Sequence, residues 1–329
     1  TDAYQPNWPT TNSPKVANFE APDREVIDKV LVSQELVDNG NVVENVYYER
    51  IMPIGGDVVA KYVIEGTTTE LKSATDVAKG LKVGKSYTST APVVGEELRA
   101  TDGKVYVYKG HKTTSAAETG TVTADKQEVV YEYAPKVGGN VEVKYVIAGT
   151  ETNLKDPVTL VTNGQVGSDY TATKENTLTK DGLVYELVKT NNGLKEGSAT
   201  ETGKVTEAKQ EVVYEYAPKV GGNVEVKYVI AGTETNLKDP VTLVTNGQVG
   251  SDYTATKENT LTKDGLVYEL VKTNNGLKEG SATETGKVTE AKQEVVYEYA
   301  PKVGGNVEVK YVIAGTETNL KDPVTLVTN

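Results

Sequence analysis

The chain has 329 residues, a formal net charge of −12 and no cysteine. The charge argues against nucleic-acid binding, which needs clustered Lys and Arg to neutralise phosphates, and against adsorption to anionic membranes. Without Cys there are no disulfides and no thiolate metal sites, which fits a cytoplasm or a bacterial exterior. No apolar run approaches the roughly 20 residues that cross a bilayer.

The apolar residues are unusual in kind: 20 Tyr stand against one Phe, one Trp and one Met. Tyr with frequent Val and Thr favours pleated, half-buried surfaces, and the many Gly suit short strands joined by tight turns.

Residues 1–50 form a segment of their own. They open on Pro6-Asn7-Trp8-Pro9, continue through Val26, Ile27, Val30 and Val32 to a turn at Asn39-Gly40-Asn41, and end in a strand-like alternation from Val42 to Tyr48. This pattern predicts the C-terminal part of an upstream β domain.

An internal repeat organises the rest. Residues 137–219 and 220–302 are the same 83 amino acids, a diverged copy occupies 51–136, and a truncated fourth occupies 303–329. A period this long makes each copy a small domain, so the chain reads as an array and as a slice of a longer one. Function repeated in a row weighs against a single active site.

Within a copy, Val141 to Ile147 alternates as a strand and Pro157 to Leu160 begins a second. Asn163-Gly164 and Asp181-Gly182 supply hairpin turns. Ser168-Asp169 can cap a short helical turn over Tyr170 to Lys174. Leu183 to Val188 is a further strand, Thr190 to Gly203 a long polar loop, and Gln210 to Tyr216 the last strand, with Val212, Tyr214 and Tyr216 on one face. Pro218 and Gly221-Gly222 mark the passage to the next copy. In the diverged copy Lys126–Lys136 is identical to Lys209–Lys219, while the stretch before Asp102-Gly103 is four residues longer and the loop after it four shorter. The junction Ala217 to Asn223 has no Gly/Ser run and is no flexible linker.

Val141 to Val146, Val166 to Thr171 and Gly203 to Tyr216 together resemble the MucBP-like domains of Gram-positive surface proteins. The tandem identity resembles one branch more closely, the SHIRT domains (streptococcal high-identity repeats in tandem). The resemblance covers residues 47–329, with a weaker likeness to the mucin-binding-repeat group in residues 1–50. It implies an α+β, predominantly antiparallel fold of β-grasp-like type, arrayed as an elongated monomeric rod. It implies also a stalk of a cell-wall-anchored adhesin, tied to peptidoglycan through a C-terminal segment and meeting a host glycan or protein through a separate head. The opening strand runs into Ile147-Ala148-Gly149-Thr150 rather than the acidic Asp-Gly turn common in mucin-binding modules, so mucin binding is not carried over to these repeats. The rival expectation is a module that binds glycan or host protein with avidity from copy number.

The residues that could carry chemistry have simpler readings. His111 is the one histidine and falls in a loop of the diverged copy, so the identical copies can build no histidine triad or zinc site. Glu186, Glu211 and Glu215 alternate with apolar residues as a solvated strand face. Asp102-Gly103, Asp181-Gly182 and Asp264-Gly265 lack the close oxygen ligands of a calcium loop. Gly138-Gly139 lacks a phosphate-loop context and reads as a junction turn. Lys144 with Asn140, and Lys204 with Asn153, are nominal partners for an isopeptide crosslink. Tyr214 and Tyr216 could stack on sugars, but sharing a face with Val212 they are expected in the core. No catalytic residue, metal ligand or cofactor site is expected, and the chain is expected not to be an enzyme.

Overall fold

A computed structural model describes residues 9–28, 38 and 43–327. Trp8, Val30, Val32 and the Asn39-Gly40-Asn41 turn lie outside the described residues. The chain divides into two compact units, Thr1–Val137 with Gln165–Ser168, and Gly138–Gly164 with Asp169–Asn329.

The second unit holds the two identical copies, and each has two layers. The larger layer is a five-stranded sheet ordered Val158–Val161, Val141–Ile147, Gln210–Pro218, Leu183–Leu187, Thr177–Lys180. Three of the four strand pairs are antiparallel, but the opening strand Val141–Ile147 and the closing strand Gln210–Pro218 run parallel. Val143 faces Val212, Tyr145 faces Tyr214 and Ile147 faces Tyr216. The period-two pattern puts Val141, Val143, Tyr145, Val212, Tyr214 and Tyr216 on one face, all of them buried. Each such Val contributes about 1.5–3 kcal/mol by leaving water.

A two-stranded sheet, Asp169–Thr171 with Thr202–Lys204, forms the other layer; it supplies Tyr170 to the same core, and the residues just after its strands supply Ala172 and Val205. Tyr170 lies directly over Gly203, where a Cβ would come within 2.8 Å of its hydroxyl oxygen. The third repeat repeats every strand and register.

Two expectations are corrected here. Tyr170 to Lys174 is not a helical turn; Asp169–Thr171 is a strand, as suits a buried Tyr followed by Thr171 and Thr173. The loop Thr190 to Gly203 is not structureless. It opens with a 3-10 turn, Thr190–Gly193, and ends in the strand Thr202–Lys204. The tandem, predominantly antiparallel architecture is present, with its helical part reduced to this one short turn in each identical copy.

Tyrosine replaces phenylalanine because its hydroxyl is used. Tyr216 donates to the Glu175 carbonyl (2.7 Å), Tyr145 to the Thr173 carbonyl (3.0 Å) and Tyr170 to the Thr200 carbonyl (3.0 Å). Tyr214 donates to Glu201 (2.8 Å), which also holds Lys174 at 2.6 Å. The rings fill the core and the hydroxyls fasten the loops that cover it. Burial pushes the Tyr216 phenol up to about 12, and burial with the Glu201 contact pushes Tyr214 up as well. The hydrogen bond from Lys174, then that from Tyr214, holds Glu201 below the usual carboxylate range.

The first unit contains the diverged copy, built on the same sheet order from Val58–Ile64, Glu70–Ala78, Glu97–Arg99, Val105–His111 and Gln127–Pro135. Its strand Val105–His111 runs on past a bulge between Tyr108 and Gly110, and His111 pairs with Tyr131, where the identical copies have the 3-10 turn and pair Leu194 with Tyr214. The shorter loop noted in the sequence is the loss of that turn. Before the repeat, Thr11–Asn12 pairs with Val26–Ile27 and Phe19 bridges Arg50. The strand expected over Val42 to Tyr48 is absent from residues 43–48, although Tyr47 and Asp23 are joined by two hydrogen bonds of 2.9 and 3.0 Å.

Partway into the fourth copy, Val307–Val312 pairs with Asn319–Leu326 as a hairpin.

Candidate functional site: the junction between repeats

The passage from the second repeat to the third lies wholly inside the second unit. It begins at the Asp181-Gly182 hairpin, whose φ angles of 51° and 78° are those of a type I′ turn. In this tight hairpin the amide of Val184 points away from Thr177–Lys180. It donates instead to the carbonyl of Val249 in the next repeat, at 3.0 Å.

The closing strand ends at Pro218, which has no N–H to continue the ladder. Lys219 follows and serves both repeats. Its N–H donates to the Val184 carbonyl and its own carbonyl accepts from Val249, both at 2.9 Å. The Gln248 side-chain amide adds a bond of 3.0 Å to the same Val184 carbonyl. Val220 then bridges Gln248, and Gly221 and Gly222 donate to Gly247 (2.7 Å) and Thr289 (2.9 Å) of the third repeat.

The backbones are in close contact. Gly250 has φ +91°, and a Cβ there would stand 1.9 Å from the Gly182 carbonyl oxygen. Only a residue without Cβ allows this approach. At the rim, Lys219 Nζ pairs with Glu290, and that hydrogen bond raises the Lys219 pKa.

The first unit contains the same set of bonds. Val105 donates to Val166, Val166 to Lys136, Lys136 to Val105 and the Gln165 side chain to Val105, each at 2.9 Å. A Cβ on Gly167 would again lie 1.9 Å from a carbonyl, that of Gly103. This match pairs Gly103 with Gly182 and Val105 with Val184, and so confirms the four-residue offset seen in the sequence.

The other candidate residues are scattered. His111 is not in a surface loop. It ends a strand half-buried, its ring edge-on to Tyr131 with Nε2 2.9 Å from the Ala116 carbonyl. Glu211 meets Lys144 at 3.0 Å and Lys209 at 3.2 Å, and these contacts, Lys144 first, hold its carboxyl below the usual range. Glu215 accepts from the Gly149 amide at 2.9 Å, and Glu186 is exposed. Asp181-Gly182 and Asp264-Gly265 are hairpin turns. Gly138-Gly139 packs on its own repeat, donating to Gly164 (2.6 Å) and Thr206 (2.9 Å). Lys144 faces Glu211 and Lys204 faces Asp169 at 2.8 Å. Tyr214 and Tyr216 are fully buried.

Gln248, Val249 and Gly250, with Gln165, Val166 and Gly167, are the junction residues that sequence reasoning missed. The available signal was the Val-Gly pair, which recurs as Val83-Gly84 in the diverged copy. Where the later copies have Gln165 and Gln248, that copy has Lys82, which bridges Ile54 and pairs with Glu20 at 2.8 Å.

A family model described as MucBP domain matches residues 57–134, 140–217 and 223–300. The chain belongs to the MucBP domain family. Its copies are surface-protein tandem repeat domains of Gram-positive bacteria. Over 149 residues it is 32% identical to the muramidase-released protein of Streptococcus suis, a match covering 44% of this chain and 12% of that protein. The chain thus spans about an eighth of the length of this curated relative. Among solved structures, SHIRT domains 3–4 from a cell surface protein match at 12% identity and a TM-score of 0.26, covering 49% of this chain and 97% of that one. No described helix is long and apolar enough to cross a membrane. The MucBP segments stop at 217 and resume at 223, so Lys219 and the diglycine lie between matched segments, while Val184 and Gln248–Gly250 lie within them.

Proposed function

We propose that the MucBP repeats of this chain are non-enzymatic spacing units in the stalk of a cell-wall-anchored bacterial adhesin. In this reading, copy number sets the reach of a separate ligand-binding head. The observation that carries it is the junction at Lys219. A connector whose N–H and carbonyl are each spent on a different repeat transmits orientation from one domain to the next, where a solvated linker would not.

The test is small-angle scattering on chains carrying one fewer and one more identical repeat. The maximum dimension is expected to change by the same increment each time, and a globular or random-coil trend overturns the stalk reading. A glycan and mucin array decides against the rival. Saturable binding that tightens with copy number would make each MucBP repeat a binding module instead.

A further inference from the structure

Identical neighbouring domains risk exchanging strands while they fold. Here the opening strand of the third repeat, Val224–Ile230, matches that of the second, Val141–Ile147, at every residue. It would fit the second repeat's sheet equally well. Its place there is fixed, because the opening strand lies between Val158–Val161 and the closing strand, parallel to the latter over seven residues.

Geometry opposes that exchange. In the native third repeat Val224 stands opposite Gln293; in an exchanged sheet it would stand opposite Gln210. Gln210 is eight residues back from Pro218, about 26 Å along a strand at ~3.3 Å per residue. The chain from Pro218 to Val224 makes six Cα steps, which span about 20–22 Å when straight and leave nothing for a turn. Peeling Ala217 and Pro218 away frees two more residues, at the cost of their pairing with Glu186 and Tyr185. The connector would then have seven residues, still short of the roughly dozen that a parallel crossover needs. The native connection between opening and closing strands, Ala148–Lys209, has 62. Moving the second repeat's closing strand into the third repeat's sheet requires the same parallel pair and fails in the same way.

We propose that the parallel pairing of each repeat's first and last strands, combined with the five-residue junction Lys219–Asn223, is a topological guard against strand exchange between neighbours. It lets copies stay identical without misfolding inside one chain. Exchange between two chains has no such bar, so the residual swapping is intermolecular and rises with concentration.

The experiment is repeated single-molecule stretching and refolding of the full chain, compared with two variants that carry Gly/Ser inserts after Lys219. One insert of about two residues leaves a connector of about seven, or about nine with Ala217 and Pro218 peeled away, under the crossover minimum; one of about fifteen leaves about twenty, above it. Both break the junction ladder equally. The unmodified chain and the shorter insert are expected to unfold only in single-repeat steps, each releasing ~300 Å for 83 residues. The longer insert is expected to add events that release more than one repeat at once. Oversized events in the unmodified chain overturn the proposal. Their absence with the longer insert, when single-repeat steps show that its repeats fold, overturns it too. Equal frequencies with both inserts would assign the guard to the ladder and not to reach, and overturn it likewise.

Discussion

Leu183-Val184-Tyr185 in the second repeat and Leu266-Val267-Tyr268 in the third are the same residues on the same strand in the same register. Their surroundings differ. The first set meets Val249 and Gln248 of a following repeat, and there Tyr185 is 8% exposed with Leu183 and Val184 half-buried. The second set has no residues equivalent to Gln248 and Val249 before Asn329; Leu266 is 63% exposed and Val267 41%. Within these 329 residues the same tripeptide is therefore exposed in one place and covered in the other. Lys302 still donates to the Val267 carbonyl at 2.8 Å, as Lys219 does to Val184. Half of the junction is thus built by each repeat alone, and the neighbour adds the rest. Repeat arrays gain stability from such nearest-neighbour terms.

The strongest way to break the comparison is alkali, which acts on what the two repeats share. Burial holds Tyr216 and Tyr299 at about 12, against about 10 for a free phenol. Both folded values are raised, so the stabilisation is complete below pH ~10 and is lost as pH rises toward ~12. Melting followed by circular dichroism alongside tyrosinate absorbance should show both identical repeats unfolding in that window as their phenols ionise. Titration of all tyrosines near 10 with the fold intact would refute the coupling.

Next in size is Gly250→Ala, which acts on the difference alone. The added methyl meets the Gly182 carbonyl, and the positive φ strains any residue with a Cβ; such strain costs about 1–3 kcal/mol. Amide exchange at Val184 should then accelerate about tenfold or more, toward that of Val267, while Val267 itself does not change. An unaltered Val184 would mean that its bond to Val249 is not what protects it.

The strands legible in the sequence were those whose partners share their pattern. Val141 to Ile147 and Gln210 to Tyr216 alternate cleanly because one whole face is buried, and Asp181-Gly182 marks its own turn through backbone preference. Asp169–Thr171 and Thr202–Lys204 were not legible. Each has three residues, pairs only across a gap of about thirty, and buries one tyrosine against one glycine, too little for periodicity to register. The junction was hidden for another reason. Its bonds are mostly backbone to backbone, and backbone groups are the same at every residue, so only Gln248 and the positive-φ Gly250 leave a mark in the sequence. His111 falls outside the loop expected for it because the strand extension it ends forms only where the four-residue turn is missing.

A smaller effect should come from truncating the leucine. Leu183→Ala removes half-buried apolar area and should cost the second repeat about 1 kcal/mol, whereas Leu266→Ala should stay within about 0.5 kcal/mol as an exposed substitution does. Denaturant melts of the two single variants measure the contrast, and equal losses would show that the third repeat does not shield Leu183.

The smallest expected effect is at the rim. Lys219 pairs with Glu290, whereas Lys302 stands at the equivalent place and Glu290 has no counterpart before Asn329. Both partners are at the surface, so a double-mutant cycle with Lys219→Met and Glu290→Gln should return only a small coupling, below the effect of Gly250→Ala or Leu183→Ala. That coupling should fade at high salt, since screening acts on exposed charges. A large, salt-independent coupling would move the main strength of the junction from its backbone ladder to its charges. Any neighbour that kept Glu290 could then dock without Gln248 or Gly250, so Gly250→Ala would leave the Val184 amide protected. Measuring the two together therefore decides which half of the interface holds the repeats in register.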